Sequence, residues 1–134
     1  LAGVNRPDID GVIVTQGTDT LEETAFLLQL TLKTSKPVIV TGAMRPFEYG
    51  SPDGPDNLRC AAKFILDASD RNLGVLVAFQ FQIFSAFNVA KILSYPPTVR
   101  AESEKLPCPF HSPSFGPISR LKPSFPWNRF FPIT

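Results

Sequence analysis

The sequence predicts a three-layer α/β fold built on an open, mainly parallel sheet. Two observations carry this expectation: three short β-branched apolar runs, and an amphipathic stretch between each successive pair of them. Gly11-Val12-Ile13-Val14-Thr15 is nearly all apolar, as a strand buried on both faces should be. Lys36-Pro37-Val38-Ile39-Val40-Thr41 repeats the pattern, and Gly74-Val75-Leu76-Val77-Ala78-Phe79 does so again. Three parallel strands follow. Between the first two, Leu21, Ala25, Leu28 and Leu32 recur at spacings of three and four, with Glu22 and Glu23 at the start and Lys33 at the end, which predicts a helix over Leu21–Lys33. Its start carries a capping-box pattern, Thr20-Leu21-Glu22-Glu23, with Asp19 as an alternative N-cap. A second helix is expected from Pro55 or Asp56 to Ser69, with Leu58, Ala61, Ala62, Ile65 and Leu66 inward and proline in its first turn. Helices joining parallel strands imply right-handed crossovers.

A chain of 134 residues is about one small domain. The pattern divides it into a partial α/β domain over residues 1–95 and a tail over 96–134. Nine of the 14 prolines lie from Pro96 onward, so few regular elements are expected there. The tail reads as a proline-rich docking segment, as an irregular covering of an apolar surface, or as degenerate or out-of-frame sequence. Phe110, Phe115, Phe125, Trp127, Phe130 and Phe131 favour the last, being too aromatic for an ordinary linker.

Composition narrows the function. The chain is 43% hydrophobic and 19% charged with a net charge of +1, which provides no electrostatic reason to expect nucleic acid or an anionic membrane as partner. No apolar run reaches the roughly 18 residues of a membrane helix. Cys60, Cys108 and a lone His111 make neither a disulfide framework nor a zinc site. Leu1-Ala2-Gly3 has neither an initiating Met nor a signal-peptide pattern, so the start reads as internal. Cytoplasm and periplasm both stay open as compartments, with cytoplasm preferred.

Function is therefore expected from a local site. In an open parallel sheet ligands bind beyond the carboxyl ends of the strands. Two polar loops occupy that edge: Gln16-Gly17-Thr18-Asp19-Thr20 after the first strand and Thr41-Gly42-Ala43-Met44-Arg45-Pro46 after the second. Gly17 lets backbone approach a ligand, Thr18 supplies a hydroxyl, and Asp19 supplies a carboxylate able to hold an ammonium group or orient a base. A threonine hydroxyl needs a basic partner, and a lysine is one solution; Lys91 is the candidate. The plainer readings stand beside these. Thr18, Asp19 and Thr20 could only cap the helix, and Lys91 could be a solvated surface lysine. Arg45 reads as a salt bridge fixing its loop rather than an anion site. Asp53 and Asp56 read as a turn into the helix rather than a metal pair, and Cys60 as core rather than nucleophile.

Residues 10–25, containing Thr15-Gln16-Gly17-Thr18-Asp19-Thr20, resemble the second signature of the bacterial-type L-asparaginase and glutaminase family, usually written with THGTDT. Residues 36–46 and Asp53-Gly54-Pro55-Asp56-Asn57-Leu58 resemble two further family blocks in the same order. The resemblance implies the central part of that family's N-terminal domain. It implies hydrolysis of L-asparagine, with L-glutamine as an alternative substrate, to the acid and ammonia through a threonine acyl-enzyme, with no metal or organic cofactor. Thr18, Asp19 and Lys91 are then catalytic, with Lys91 on a strand beyond the third core strand. Gly17 and Asp19 hold the substrate's carboxylate and ammonium, and the carbonyl of Ala43 meets the departing amide. Family members are commonly tetramers.

The departures are specific. No TGGTI-type loop, which carries the family's usual nucleophile, occurs in these residues, nor do its partner tyrosine and the second domain, so the chain alone is expected to be inactive. Gln16 replaces a histidine, and Asn88-Val89-Ala90-Lys91-Ile92 stands for D-x-T-K-T, losing a carboxylate and two hydroxyls. Ser112-Pro113-Ser114-Phe115-Gly116-Pro117-Ile118 faintly echoes an SPxYGPLG block. The alternative to a half-enzyme is a non-catalytic, truncated or frameshifted remnant with at most an interaction role. A generic nucleotide-binding domain has only topology behind it, since both GxGxxG and a P-loop are absent.

Overall fold

The apolar runs form adjacent parallel strands, β1 (Val12–Thr15), β2 (Val38–Thr41) and β3 (Val75–Phe79), paired in order with Val12 opposite Val38 and Val38 opposite Val75. The structure, a computed structural model, describes residues 3–68, 72–87, 89–94, 97–101 and 106–107. All four residues of β2 and all five of β3 are buried, which explains why their sequences show no polar alternation. Successive side chains point to opposite faces, and each face has its own core. Val38, Val40, Val75, Val77 and Phe79 pack with Leu21 and Ala25 of helix α1 (Leu21–Thr31). Ile39, Leu76 and Ala78 pack with Cys60, Ala61, Phe64 and Ile65 of helix α2 (Gly54–Ala68). The predicted three layers are present.

The crossovers depart from the right-handed rule. The strand order β1-β2-β3 runs steadily in one direction, yet α1 and α2 cover opposite faces, so the two connections have opposite hands and one is left-handed. The sheet itself supplies the reason. β2 is apolar on both sides, and two right-handed crossovers would place both helices on one face and leave the other bare.

The helix expectations need three corrections. α1 stops at Thr31, where the hydroxyl bonds back to the Leu27 carbonyl at 2.7 Å and Leu32 turns extended, so Lys33 lies beyond the last turn. Thr20 is the N-cap but makes no side-chain capping bond, so the capping box expected between Thr20 and Glu23 is not formed. The inner face of α2 is Asn57, Cys60, Ala61, Phe64 and Ile65, while Leu58 and Leu66 are 42% and 65% exposed and Ala62 also points outward. A buried polar Asn57 sets that face, which apolar periodicity alone misplaces.

Beyond β3 the chain turns back through Gln80 and Phe81, both with positive φ (51° and 57°), into β4 (Gln82–Ser85), antiparallel to β3. β5 (Val89–Ser94) and β6 (Pro97–Ala101) form a separate two-stranded sheet, and β7 (Leu106–Pro107) pairs with β4 at the edge of the main sheet. β6 and β7 fall where few regular elements were expected. Proline is tolerated in both because Pro97 opens its strand and Pro107 lies on an edge strand. Cys108, His111, the tail aromatics and the residues 112–118 lie outside the described residues.

Candidate active site

The carboxyl ends of β1 and β2 bring the two polar loops together. The ladder continues one residue beyond β1, with the Gln16 N–H donating to the Thr41 carbonyl at 3.1 Å. Gly42 makes the close approach possible: a Cβ there would lie 2.4 Å from the Gln16 carbonyl oxygen and 3.3 Å from Thr18 Cγ2. Thr41 is itself buried, its hydroxyl donating to the Ala78 carbonyl at 2.7 Å, so the end of β2 is tied to β3 as well.

Lys91 reaches this edge from β5. Its Nζ donates to Thr18 Oγ1 at 2.8 Å and lies 3.3 Å from Asp19 Oδ1. The lysine side chain is 21% exposed, whereas that of Asp19 is 98% exposed. The ion pair therefore contributes little to stability. The hydroxyl–amine contact, better shielded, is the closer and more specific one. At the other end of the same residue, the Lys91 N–H donates to Glu22 Oε2 at 2.6 Å. A shallow cleft, partly open to solvent, lies beside this group. Leu21, Met44, Val77, Phe79 and Val89 give it an apolar floor, and Thr18, Glu22 and Lys91 its polar residues.

The second loop is held by hydrogen bonds rather than by an ion pair. Asp53 accepts from the Met44 and Arg45 amides at 3.1 and 2.9 Å. Asn57 donates to the Gly42 carbonyl at 3.0 Å and to Asp53 Oδ2 at 3.3 Å, and accepts from the Gln80 N–H at 3.1 Å. Both residues are buried. Arg45 forms no ion pair among the described residues, and the salt bridge expected of it is replaced by its backbone bond to Asp53. Asp56 pairs with Arg59 at 2.8 Å on the helix surface. Cys60 is buried in the core, as expected. Among the described residues no three of His, Cys, Asp and Glu gather as a metal site.

The structure thus brings Thr18, Asp19 and Lys91 into direct contact across more than 70 residues of sequence. Gly17 precedes them in an exposed position where an added Cβ would meet nothing within 4 Å. Ala43 lies exposed on the neighbouring loop, next to Met44, which lines the cleft. Sequence reasoning missed Glu22, Asp53 and Asn57 as holders of the site. The Asp-x-x-x-Asn spacing, which puts both side chains on one side of a helix start, was the available signal for the last two.

Comparison with known proteins adds a second line of evidence. The profile of the asparaginase N-terminal domain matches residues 2–128. A glutaminase-asparaginase of Acinetobacter glutaminasificans is 44% identical over 88 residues, covering 66% of this chain and 27% of its own. A probable periplasmic L-asparaginase of Haemophilus influenzae is 40% identical over 112 residues, covering 84% of this chain and 29% of its own. The crystal structure of a probable cytoplasmic L-asparaginase from Campylobacter jejuni superposes with a TM-score of 0.59 at 50% identity, covering 63% of this chain and 26% of that one. The chain spans little more than a quarter of the length of these relatives. No helix among the described residues is long and apolar enough to cross a membrane. With a profile match over nearly its whole length and relatives at 40% identity and above, the chain belongs to the asparaginase family.

Proposed function

We propose that this chain supplies half of an amidohydrolase site that cleaves the side-chain amide of L-asparagine, with L-glutamine as the alternative substrate, releasing ammonia. The contact of Lys91 Nζ with Thr18 Oγ1 at 2.8 Å carries this reading. In its neutral form the lysine accepts the proton of the threonine hydroxyl, or of a water bound by it, and Asp19 holds the resulting ammonium and the substrate's own. Gly17 and Ala43, both exposed beside this group, are assigned to the substrate carboxylate and, through the Ala43 carbonyl, to the departing amide. Acyl transfer also needs a nucleophile of the TGGTI type. None occurs in the 134 residues, so the chain by itself is inactive and its activity belongs to an assembly that contains that loop. Residues 1–95 form the functional part, the parent assembles as a homo-oligomer, and cytoplasm is the preferred compartment.

The test is ammonia release from L-asparagine by a protein that carries this segment together with such a loop. Thr18→Ala and Lys91→Met each abolish it on this reading, and unchanged rates in both overturn it. A second reading, a non-catalytic remnant that associates with other chains, is favoured by the exposed Phe26, Leu27, Leu30, Phe47 and Leu66.

A further inference from the structure

Lys91 is gripped at both ends by one short stretch of chain. Its amine meets Thr18 and Asp19, and its backbone N–H meets the carboxylate of Glu22 in the first turn of α1. A β-bulge occurs at the same place. Lys91 pairs with Val99 and Leu93 with Thr98, so Ile92 is extra and the strand kinks immediately after the lysine. Bulges re-aim side chains and turn backbone groups out of the ladder. The Lys91 N–H itself goes to Glu22 at 2.6 Å.

We propose that Glu22 is the positioning residue for Lys91: its carboxylate fixes the lysine backbone so that the amine spans the cleft to Thr18. An acidic residue at a helix start ordinarily serves the helix dipole, and Glu22 was expected in that role. The geometry assigns it a second one, because the carboxylate oxygen is directed at β5. The inference rests on the reading of Thr18 and Lys91 as a half-site, yet its test needs no turnover and can succeed where hydrolysis is absent.

The two roles separate with two conservative variants. Glu22→Gln removes the charge but keeps an acceptor at the same reach; Glu22→Asp keeps the charge but withdraws the acceptor by one methylene. The full chain is treated with limiting N-hydroxysuccinimide acetate, and acetylation of Lys91 is measured by peptide mass spectrometry against the exposed Lys33 as internal reference. In the unmodified sequence Lys91 reacts more slowly than Lys33. Glu22→Gln leaves that ratio unchanged, and Glu22→Asp raises Lys91 acetylation about fivefold, the factor that one hydrogen bond of ordinary net strength sustains. Lys91 protected as before in Glu22→Asp, or released equally in both variants, overturns the assignment.

Discussion

Gly42→Ala tests how the two loops are held together. An added Cβ would sit 2.4 Å from the Gln16 carbonyl oxygen, with Thr18 Cγ2 at 3.3 Å and Leu21 Cδ1 at 3.4 Å. Carbon and carbonyl oxygen do not approach closer than about 3.3 Å, so the loop must retreat by roughly 0.9 Å, and its first obstacle is backbone that cannot rotate away. Overpacking of this kind costs about 1–3 kcal/mol. Stiffening the unfolded chain returns about 0.4–1 kcal/mol, so the net effect is destabilising, on the order of 1–2 kcal/mol. The movement falls on the segment that carries Thr18, whose contact with Lys91 is 2.8 Å and fails if the loop retreats that far while the lysine stays. The assay is a urea melt followed by circular dichroism, together with acetylation of Lys91. Gly17→Ala is the control: a Cβ there meets nothing within 4 Å, and its expected effect is within about 0.5 kcal/mol. A Gly42→Ala midpoint equal to that of the unmodified chain, or equal losses in both variants, would refute the close-approach argument.

Two further outcomes follow from the same contacts. Asn57→Ala removes the hydrogen bonds of a buried side chain to the Gly42 carbonyl and the Gln80 N–H, and should lower stability by about 1–3 kcal/mol in a urea melt while Asp56→Ala changes it by under about 1 kcal/mol. The exposed Leu27, Leu30 and Phe47 should make the 134-residue chain associate as its concentration rises. Sedimentation velocity reads this, and a concentration-independent monomer contradicts it.

The core strands were legible because burial on both faces leaves only β-branched and apolar residues in β2 and β3; β1 carries the same Val-Ile-Val-Thr run but lies at the sheet's end, where its residues are half-buried or exposed rather than buried on both faces as expected. α1 was legible from the spacing of Leu21, Ala25, Leu28 and Leu32, although its end was placed late because Thr31 breaks the helix before Lys33. α2 was mis-rotated because Asn57 is buried through hydrogen bonds to Gly42 and Gln80, both outside the helix, and to Asp53 one turn before it, so a polar residue shares the inner face. The β3–β4 turn was invisible, since Gln80 and Phe81 take positive φ without the glycine or asparagine that usually marks such a turn. Crossover hand depends on which face each helix covers, a tertiary choice with no local sequence mark. At the site, Thr18 and Asp19 were legible from the signature loop, whereas Lys91 was tied to them only through the family resemblance, because no local pattern places it against Thr18; the structure brings the three into contact. Glu22 was not: its pattern reads equally well as a helix start, and only the placement of β5 reveals its partner.

The contact between Lys91 and Thr18 is the centre of the account, and ammonia release from L-asparagine tests it most directly. The chain alone should release none above a Thr18→Ala control. A protein carrying the same segment with a TGGTI-type loop should release ammonia, and lose that activity by about 10²-fold or more in Thr18→Ala and in Lys91→Met. Turnover that survives both substitutions at the original rate would contradict the assignment of the half-site.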